Sequence, residues 1–282
     1  MGDKGVLPEV DGFNALVRAR HGLFLYNRND AYIGKSLAAY GEYCEAECRV
    51  FLQLCRPGDF VIEAGANIGI HTVPIAKAVG ERGRVFTFEP QRVVFQTLCA
   101  NLALNSLTNV ESHWVAVGDE AGEVLIPEID YTRSGNFGGL AVDGFNKGRK
   151  VPLLALDDTL DLPQLRFIKI DVEGMEDKVL SGARQTIAAH RPYLYLENDR
   201  VEKSEALIRQ VMELGYRPYW HLPRLFSPDN FFGNNENIFG RIVSVNMLCV
   251  PEELSPDLSG FQQVNDPTEH PMKHQEYRPP RR

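Results

Sequence analysis

The sequence predicts an α/β fold, a mostly parallel sheet with helices on both faces. Three observations predict it. Between about residues 57 and 250, short β-branched or aromatic runs alternate with stretches of helical periodicity. Several of these runs stop at glycines or acids, where a crevice opens at the carboxyl edge of such a sheet. The 282 residues are 44% hydrophobic and 24% charged, enough to bury a full core without disulfides or structural metals.

The elements follow in order. Residues 1–56 read as an appended arm, with a hairpin around Phe24 to Ile33 and a helix from Glu42 to Leu54. Residues 57–250 carry the main domain. Asp59 to Glu63 is its first strand, closed by Ala64-Gly65-Ala66-Asn67, and a helix runs from Ile70 to Val79. Arg84 to Glu89 is the second strand, stopped by Pro90. Val93 to Leu104 is helical, with Val94, Leu98 and Leu102 on one stripe. Val110 to Val117 reads as the third strand. Residues 118–160 change pattern to short alternating runs with many glycines, so extra β structure is expected there, with 134–139 as a mobile glycine loop. Phe167 to Asp171 is the fourth strand, Lys178 to Ala189 a helix, and Tyr193 to Glu197 the fifth strand. Ser204 is positioned to cap a helix ending at Leu214 and Gly215. Residues 251–282 hold six prolines and read as a disordered or extended tail.

Composition excludes several functions. A net charge of -8 argues against a general nucleic-acid binder, which needs cations for phosphates. No apolar run is long enough to span a bilayer. The first residues carry no apolar signal core, and none of the five cysteines forms a Cys-x-x-Cys pair. A reduced, cytoplasmic protein with free thiols is expected. Cys44 and Cys48 lie four apart on a helix, but no histidine pair complements them, so they read as buried thiols.

Four stretches carry chemistry. Glu63 to Gly69 joins the first strand to the first helix. A dinucleotide fingerprint needs glycine at 65, 67 and 70, and Asn67 and Ile70 break it. An acid before Gly-x-x-x-Gly, here Gly65 and Gly69, is instead the S-adenosylmethionine arrangement of class I methyltransferases. Asn67 lies in the turn and His71 opens the helix beside it. Glu89 ends the second strand, where a carboxylate can accept ribose hydroxyls. Asp171 and Glu173 stand at the end of the fourth strand, as base, metal ligand or substrate anchor. Glu197-Asn198 ends the fifth strand, and with Asp171 it offers mixed oxygen ligands that suit Mg²⁺. The cofactor set is therefore Glu63, Gly65, Asn67, Gly69, His71, Glu89 and Asp171. The catalytic set is Asp171, Glu173 and His221, the histidine as a general base. The metal set is Asp171, Glu197 and Asn198. The segment 219–237, with Trp220, Phe231, Phe232, Asn234 and Asn235, is expected to meet the acceptor, together with the glycine loop.

These motifs resemble the FkbM-type S-adenosylmethionine-dependent methyltransferases. The likeness runs from about residue 40 to 200, through Tyr40-Gly41-Glu42, Glu63 to Gly69, Phe86 to Pro90, Asn101 to Asn105, Ala116-Val117-Gly118, Gly182-Ala183 and Glu197. Its most specific stretch is Lys169-Ile170-Asp171-Val172-Glu173-Gly174-Met175-Glu176. The resemblance implies a class I methyltransferase Rossmann-like fold of seven strands in the order 3-2-1-4-5-7-6. It also implies O-methylation of a small-molecule or glycan acceptor, such as a sugar, polysaccharide or polyketide. An N-methyltransferase, a nicotinamide dehydrogenase and a non-catalytic binding module are the rival readings. The oligomeric state stays open, a homodimer among the options.

Overall fold

The computed structural model describes residues 10–139 and 147–273. An N-terminal hairpin pairs β1 (Asn14–Ala19) with β2 (Gly22–Asn27). Its turn is Arg20-His21, upstream of the expected hairpin. The residues assigned to that hairpin continue into α1 (Ile33–Tyr40), because Ile33, Leu37 and Tyr40 recur at helical spacing and are all buried. The next helix, α2 (Glu45–Leu54), starts three residues later than expected, because Cys44 takes a left-handed conformation with φ 42°.

β3 (Phe60–Ala64), α3 (Thr72–Val79), β4 (Arg84–Phe88), α4 (Arg92–Leu104) and β5 (Val110–His113) then lay down parallel strands joined by helices. The expected third strand does not run to Val117. The chain leaves the sheet at Trp114, whose Nε1 donates to the Pro90 carbonyl at 2.8 Å. Ala116–Val117 (β6) instead joins β7 (Gly122–Ile126) and β8 (Arg149–Leu154) in a separate sheet, the extra β structure expected for 118–160.

After a single turn α5 (Leu156–Thr159) come β9 (Phe167–Ile170), α6 (Glu176–Ser181), α7 (Arg184–His190) and β10 (Tyr193–Glu197). The expected helix over 178–189 is thus two, broken at Gly182, where a Cβ would lie 2.0 Å from the Gly118 carbonyl oxygen. Asp157 caps α7 from a distance, its carboxylate accepting from the Gln185 and Thr186 amides at 2.8 Å. α8 (Val201–Glu213) begins before Ser204, which is buried in its first turn rather than capping it. β11 (Tyr216–His221), β12 (Asn246–Pro251) and β13 (Gln262–Gln263) complete the chain.

The main sheet has the order β13-β11-β12-β10-β9-β3-β4-β5. Read from β5 to β11 it is the expected 3-2-1-4-5-7-6, with β12 antiparallel to its neighbours and β13 an added eighth strand. Both faces are covered. Ile62, Ile168, Leu194 and Met247 pack against Val179, Ile187 and Ile208 on one side. Val61, Phe167, Tyr195 and Leu248 meet Phe51, Ile75 and Val79 on the other. Part of the proline-rich tail is ordered. Val264, His270 and Met272 are buried, and His270 Nε2 lies 2.8 Å from the Asn198 carbonyl oxygen. Residues 274–282 lie outside the described residues. Among the described residues no helix is long and apolar enough to cross a membrane.

The hairpin is tied to α4 and its C-cap through two amides. Asn101 accepts from the Leu25 amide at 2.6 Å and donates to the Leu25 carbonyl at 3.0 Å. Asn105 does the same at Leu23, at 3.1 and 2.7 Å. Asn101 also donates to the Ile68 carbonyl at 2.8 Å, so one side chain fixes both the hairpin and the glycine turn.

Candidate active site

The carboxyl ends of β3, β4, β9 and β10 open into one cavity of about 1010 Å³. A narrow apolar slot enters it between Phe88, Val115, Val117, Ile126 and Met175. Gly65, Glu89, Gly138, Asp171 and Glu173 line both spaces.

The glycine turn is built by close backbone approach. Gly65 has φ +81°, and a Cβ on it would stand 1.8 Å from the Asp171 carbonyl oxygen. Only glycine lets the ends of β3 and β9 come so near. The Gly65 and Ala66 amides donate to the Phe88 carbonyl at 2.9 and 3.1 Å, and the Gly69 amide donates to the Ala66 carbonyl at 2.9 Å. Glu89 braces the turn. Its carboxylate accepts from the Asn67 amide at 3.0 Å and the Gln91 amide at 2.8 Å. Burial pushes the Glu89 carboxyl up to about 7, against the pull of these two donors.

Lys169 is the hub that sequence reasoning missed. Its Nζ lies 2.9 Å from Asp171 Oδ2, 3.4 Å from the Gly65 carbonyl oxygen and 4.0 Å from Glu63 Oε1. Burial alone would push this ammonium down, but the Asp171 and Glu63 carboxylates hold it above its ordinary value. Glu63 accepts from the Thr72 hydroxyl at 2.6 Å, and burial raises its carboxyl to about 7 despite Lys169. The signal was present in the sequence. A lysine inside the apolar run Phe167-Ile168-Lys169-Ile170 must find carboxylates when buried, because an unpaired interior ammonium is too costly.

His71 stands in the cavity wall beside Tyr43 and Glu47, two residues the sequence reading passed over. It is 5% exposed, its edge meets Phe51, and its Nε2 is 3.9 Å from Glu47 Oε2 with no hydrogen-bond partner among the described residues. Burial holds this imidazole well below its usual pKa, hence neutral. Glu47 is itself held by the Asn246 amide at 3.0 Å.

Asp171, Glu173 and Glu197 bring carboxylate oxygens within 4.8 Å of one another. Glu173, at φ 59°, is paired with Arg200 at 2.9 Å. Glu197 Oε2 is buried without a partner among the described residues. Burial pushes both glutamates well up, and repulsion between neighbouring acids adds to it. Glu176 accepts from the Val172 and Gly174 amides at 3.1 and 3.0 Å and so closes the turn after β9.

Three expectations fail here. Asn198 cannot serve the expected metal set. Its Nδ2 donates to Met247 Sδ at 3.3 Å, so the side chain points into the core and Glu173 takes its place beside Asp171 and Glu197. His221 does not reach the cavity. It sits on β11 with Nδ1 2.7 Å from the Tyr195 hydroxyl, packed on Phe261, and burial lowers it to about 4. The segment 219–237 also turns away, apart from Leu225. Trp220 is buried against His270, Phe231 and Phe232 close on Gly41, and the Asn234 amide donates to the Ala39 carbonyl at 3.1 Å. The loop from Asn136 to Gly139 does line the cavity, as does Val243 to Asn246.

Eight carboxylates line this space, from Glu47, Glu63, Glu89, Asp171, Glu173, Glu197, Asp199 and Glu202, against the cations Lys169 and Arg200. Burial holds Glu63, Glu89, Glu173 and Glu197 toward their neutral forms, and a positively charged guest would favour their ionised forms.

Comparison with known proteins gives the family of this chain. The family model of the methyltransferase FkbM domain matches residues 63–218. Methyltransferase 1 of Beauveria bassiana (strain ARSEF 2860) is 26% identical over 148 residues, covering 44% of this chain and 57% of that protein. Methyltransferase sdnD of Sordaria araneosa is 28% identical over 162 residues, covering 44% and 60%. The chain thus spans less than two thirds of either relative. Among solved structures, the FkbM methyltransferase of Methylobacillus flagellatus KT is 19% identical, covering 72% of this chain and 50% of that one, with a TM-score of 0.44. The O-methyltransferase TomG of Streptomyces achromogenes is 12% identical, covering 73% and 79%, with a TM-score of 0.43. With its family match running from the acid of the glycine turn to β11, this chain belongs to the FkbM methyltransferase family.

Proposed function

We propose that this chain is an S-adenosylmethionine-dependent O-methyltransferase whose acceptor is a hydroxyl of a polar molecule, a sugar or a polyketide. One observation carries the reading: the apolar slot and the acid-lined cavity meet at Gly65, Glu89 and Asp171. The cofactor, when bound, supplies an electrophilic methyl group on a cationic sulfur. The residues fit it. Phe88, Val115, Val117 and Met175 make an apolar slot for a base, and Glu89 stands beside it for ribose hydroxyls. The surplus of carboxylates suits an ammonium and a sulfonium.

Asp171 is the carboxylate of choice for the acceptor. One of its oxygens is engaged by Lys169, its side chain is 39% exposed, and the other oxygen is left to take the hydroxyl proton. Glu197 Oε2, without a partner among the described residues, hydrogen-bonds a further hydroxyl and orients the acceptor. Within the expected arm, Tyr43 and Glu47 serve as a wall of the cavity. Magnesium fits less well, since Asn198 points away and Arg200 already occupies Glu173.

The test is turnover with methyl-labelled cofactor and a panel of sugars, polyols and polyketides, with the methyl located by mass spectrometry and NMR. Label on oxygen supports the reading. Label on nitrogen replaces it with N-methylation. Cofactor binding without turnover on any acceptor points to a binding module.

A further inference from the structure

We propose that His21, Glu45 and Cys48 form a zinc site that ties the N-terminal hairpin to α2. The three come from two elements. His21 is in the β1–β2 turn, while Glu45 and Cys48 stand three apart on the first turn of α2 and so share a face. His21 Nε2 lies 2.8 Å from Glu45 Oε2 and 3.3 Å from Cys48 Sγ. The three donor atoms all lie within 4.8 Å of one another.

One imidazole nitrogen thus stands between a carboxylate and a thiol, all three of them zinc-ligand types. A metal ion serves all three. Ligands at roughly 2.0–2.3 Å from a tetrahedral zinc lie roughly 3.3–3.8 Å from each other, so the cluster needs to open only slightly. Nitrogen, oxygen and sulfur together select zinc over magnesium or calcium. As the sulfur–zinc bond forms, the thiol proton leaves to solvent. The thiolate and carboxylate then balance the two charges of the ion.

The geometry is held in advance. The His21 carbonyl accepts from the Lys77 ammonium, and the other two ligands sit on a helix. Cys48 is 1% exposed and the Glu45 side chain 7%, while the His21 side chain is 21% exposed, which leaves a solvent side for a fourth ligand water. Arg20 and Arg49 each stand 3.8 Å from the Glu45 carboxylate and oppose the added charge, so the site is not of the tightest kind. Its consequence reaches the cavity. Glu47, which lines it, lies between the two α2 ligands, so zinc would fix that wall.

The experiment uses the full chain after chelator treatment and dialysis. Zinc uptake is followed by calorimetry, and Co²⁺ uptake by its sulfur-to-metal absorption band. One equivalent is expected, with the band present. Cys48→Ser should abolish the band, and His21→Gln should weaken zinc at least about 100-fold, the upper end of the cost of losing even an outer partner. His21 is on a turn, so its variant keeps the test valid should the cysteine variant misfold. Glu197→Gln probes the acidic trio in the cavity and should leave zinc uptake unchanged. No uptake, uptake indifferent to His21→Gln, or uptake lost in Glu197→Gln overturns the proposal.

Discussion

Gly65→Ala places a methyl group where the Asp171 carbonyl oxygen already is. The added carbon would sit at 1.8 Å, and real Cβ contacts essentially never fall below 3.0 Å, so the ends of β3 and β9 must part by about 1.2 Å. Two costs follow. Holding alanine at φ +81° costs roughly 1–2 kcal/mol. Parting the strands strains the bonds from the Gly65 amide to Phe88 and from the Asp171 amide to Ala64, at about 1 kcal/mol each. The sum is roughly 3–4 kcal/mol, a fall in Tm of about 6–16 °C at about 2–4 °C per kcal/mol. Turnover should fall further, about 100-fold, because a displacement near 1 Å spoils the alignment of reacting groups. Gly240→Ala is the control. That glycine has φ +61° with none of the described residues within 4 Å of the added carbon, so it bears only the conformational cost. Thermal unfolding by circular dichroism, cofactor calorimetry and labelled turnover on both variants read the difference. Equal Tm values for the two, with full turnover in Gly65→Ala, would refute the argument.

Further outcomes follow from the buried charges. Glu63 and Glu89 are raised from 4.5 to about 7, so protonation favours the folded state, and their contribution is complete below pH 4.5 and lost as pH rises through 7. Melts of the ligand-free protein should show Tm falling across that window, with a shallower fall in Glu63→Gln; a steady rise contradicts the assignment. Lys169→Met strips Glu63 and Asp171 of their shared ammonium and should cost about 3 kcal/mol in urea unfolding, the low end for a broken buried pair because Asp171 is partly solvated. A stability equal to wild type counts against the hub. Mg²⁺ added to chelator-treated protein should leave turnover unchanged, because Arg200 holds Glu173 and Asn198 faces the core. Activity that returns only with Mg²⁺ restores a cation to the site.

The parallel sheet was legible because each strand is a short apolar run with a helical stretch behind it. Glu89, Asp171 and Glu197 were legible because strand ends are where such sheets place their ligands. What escaped depends on direction and on distant partners. His221 is one strand end among others in the sequence, yet its ring turns to Tyr195, and neither lines the cavity. The break after His113 follows from a carbonyl at Pro90 that only the folded chain brings to Trp114. Glu47 gains its place from Asn246, 199 residues away. The aromatic-amide segment has the composition of a binding loop, but its amides serve its own turns and α1. Composition could not separate these uses.

Asn101 in α4 and Asn105 at its C-cap bear on how the chain avoids sticking to itself. A two-stranded hairpin offers free amides and carbonyls along its outer side, and a second molecule can add a strand there. On β2 the outward groups of Leu23 and Leu25 are taken by Asn105 and Asn101, one helical turn apart. Side-chain amides thus stand in for a neighbouring strand but cannot pass the pairing on. Because Asn101 also grips Ile68, any slip of the hairpin would pull on the glycine turn. Sealing that border and keeping the pocket in shape are one task, assigned to a single residue type at positions four apart.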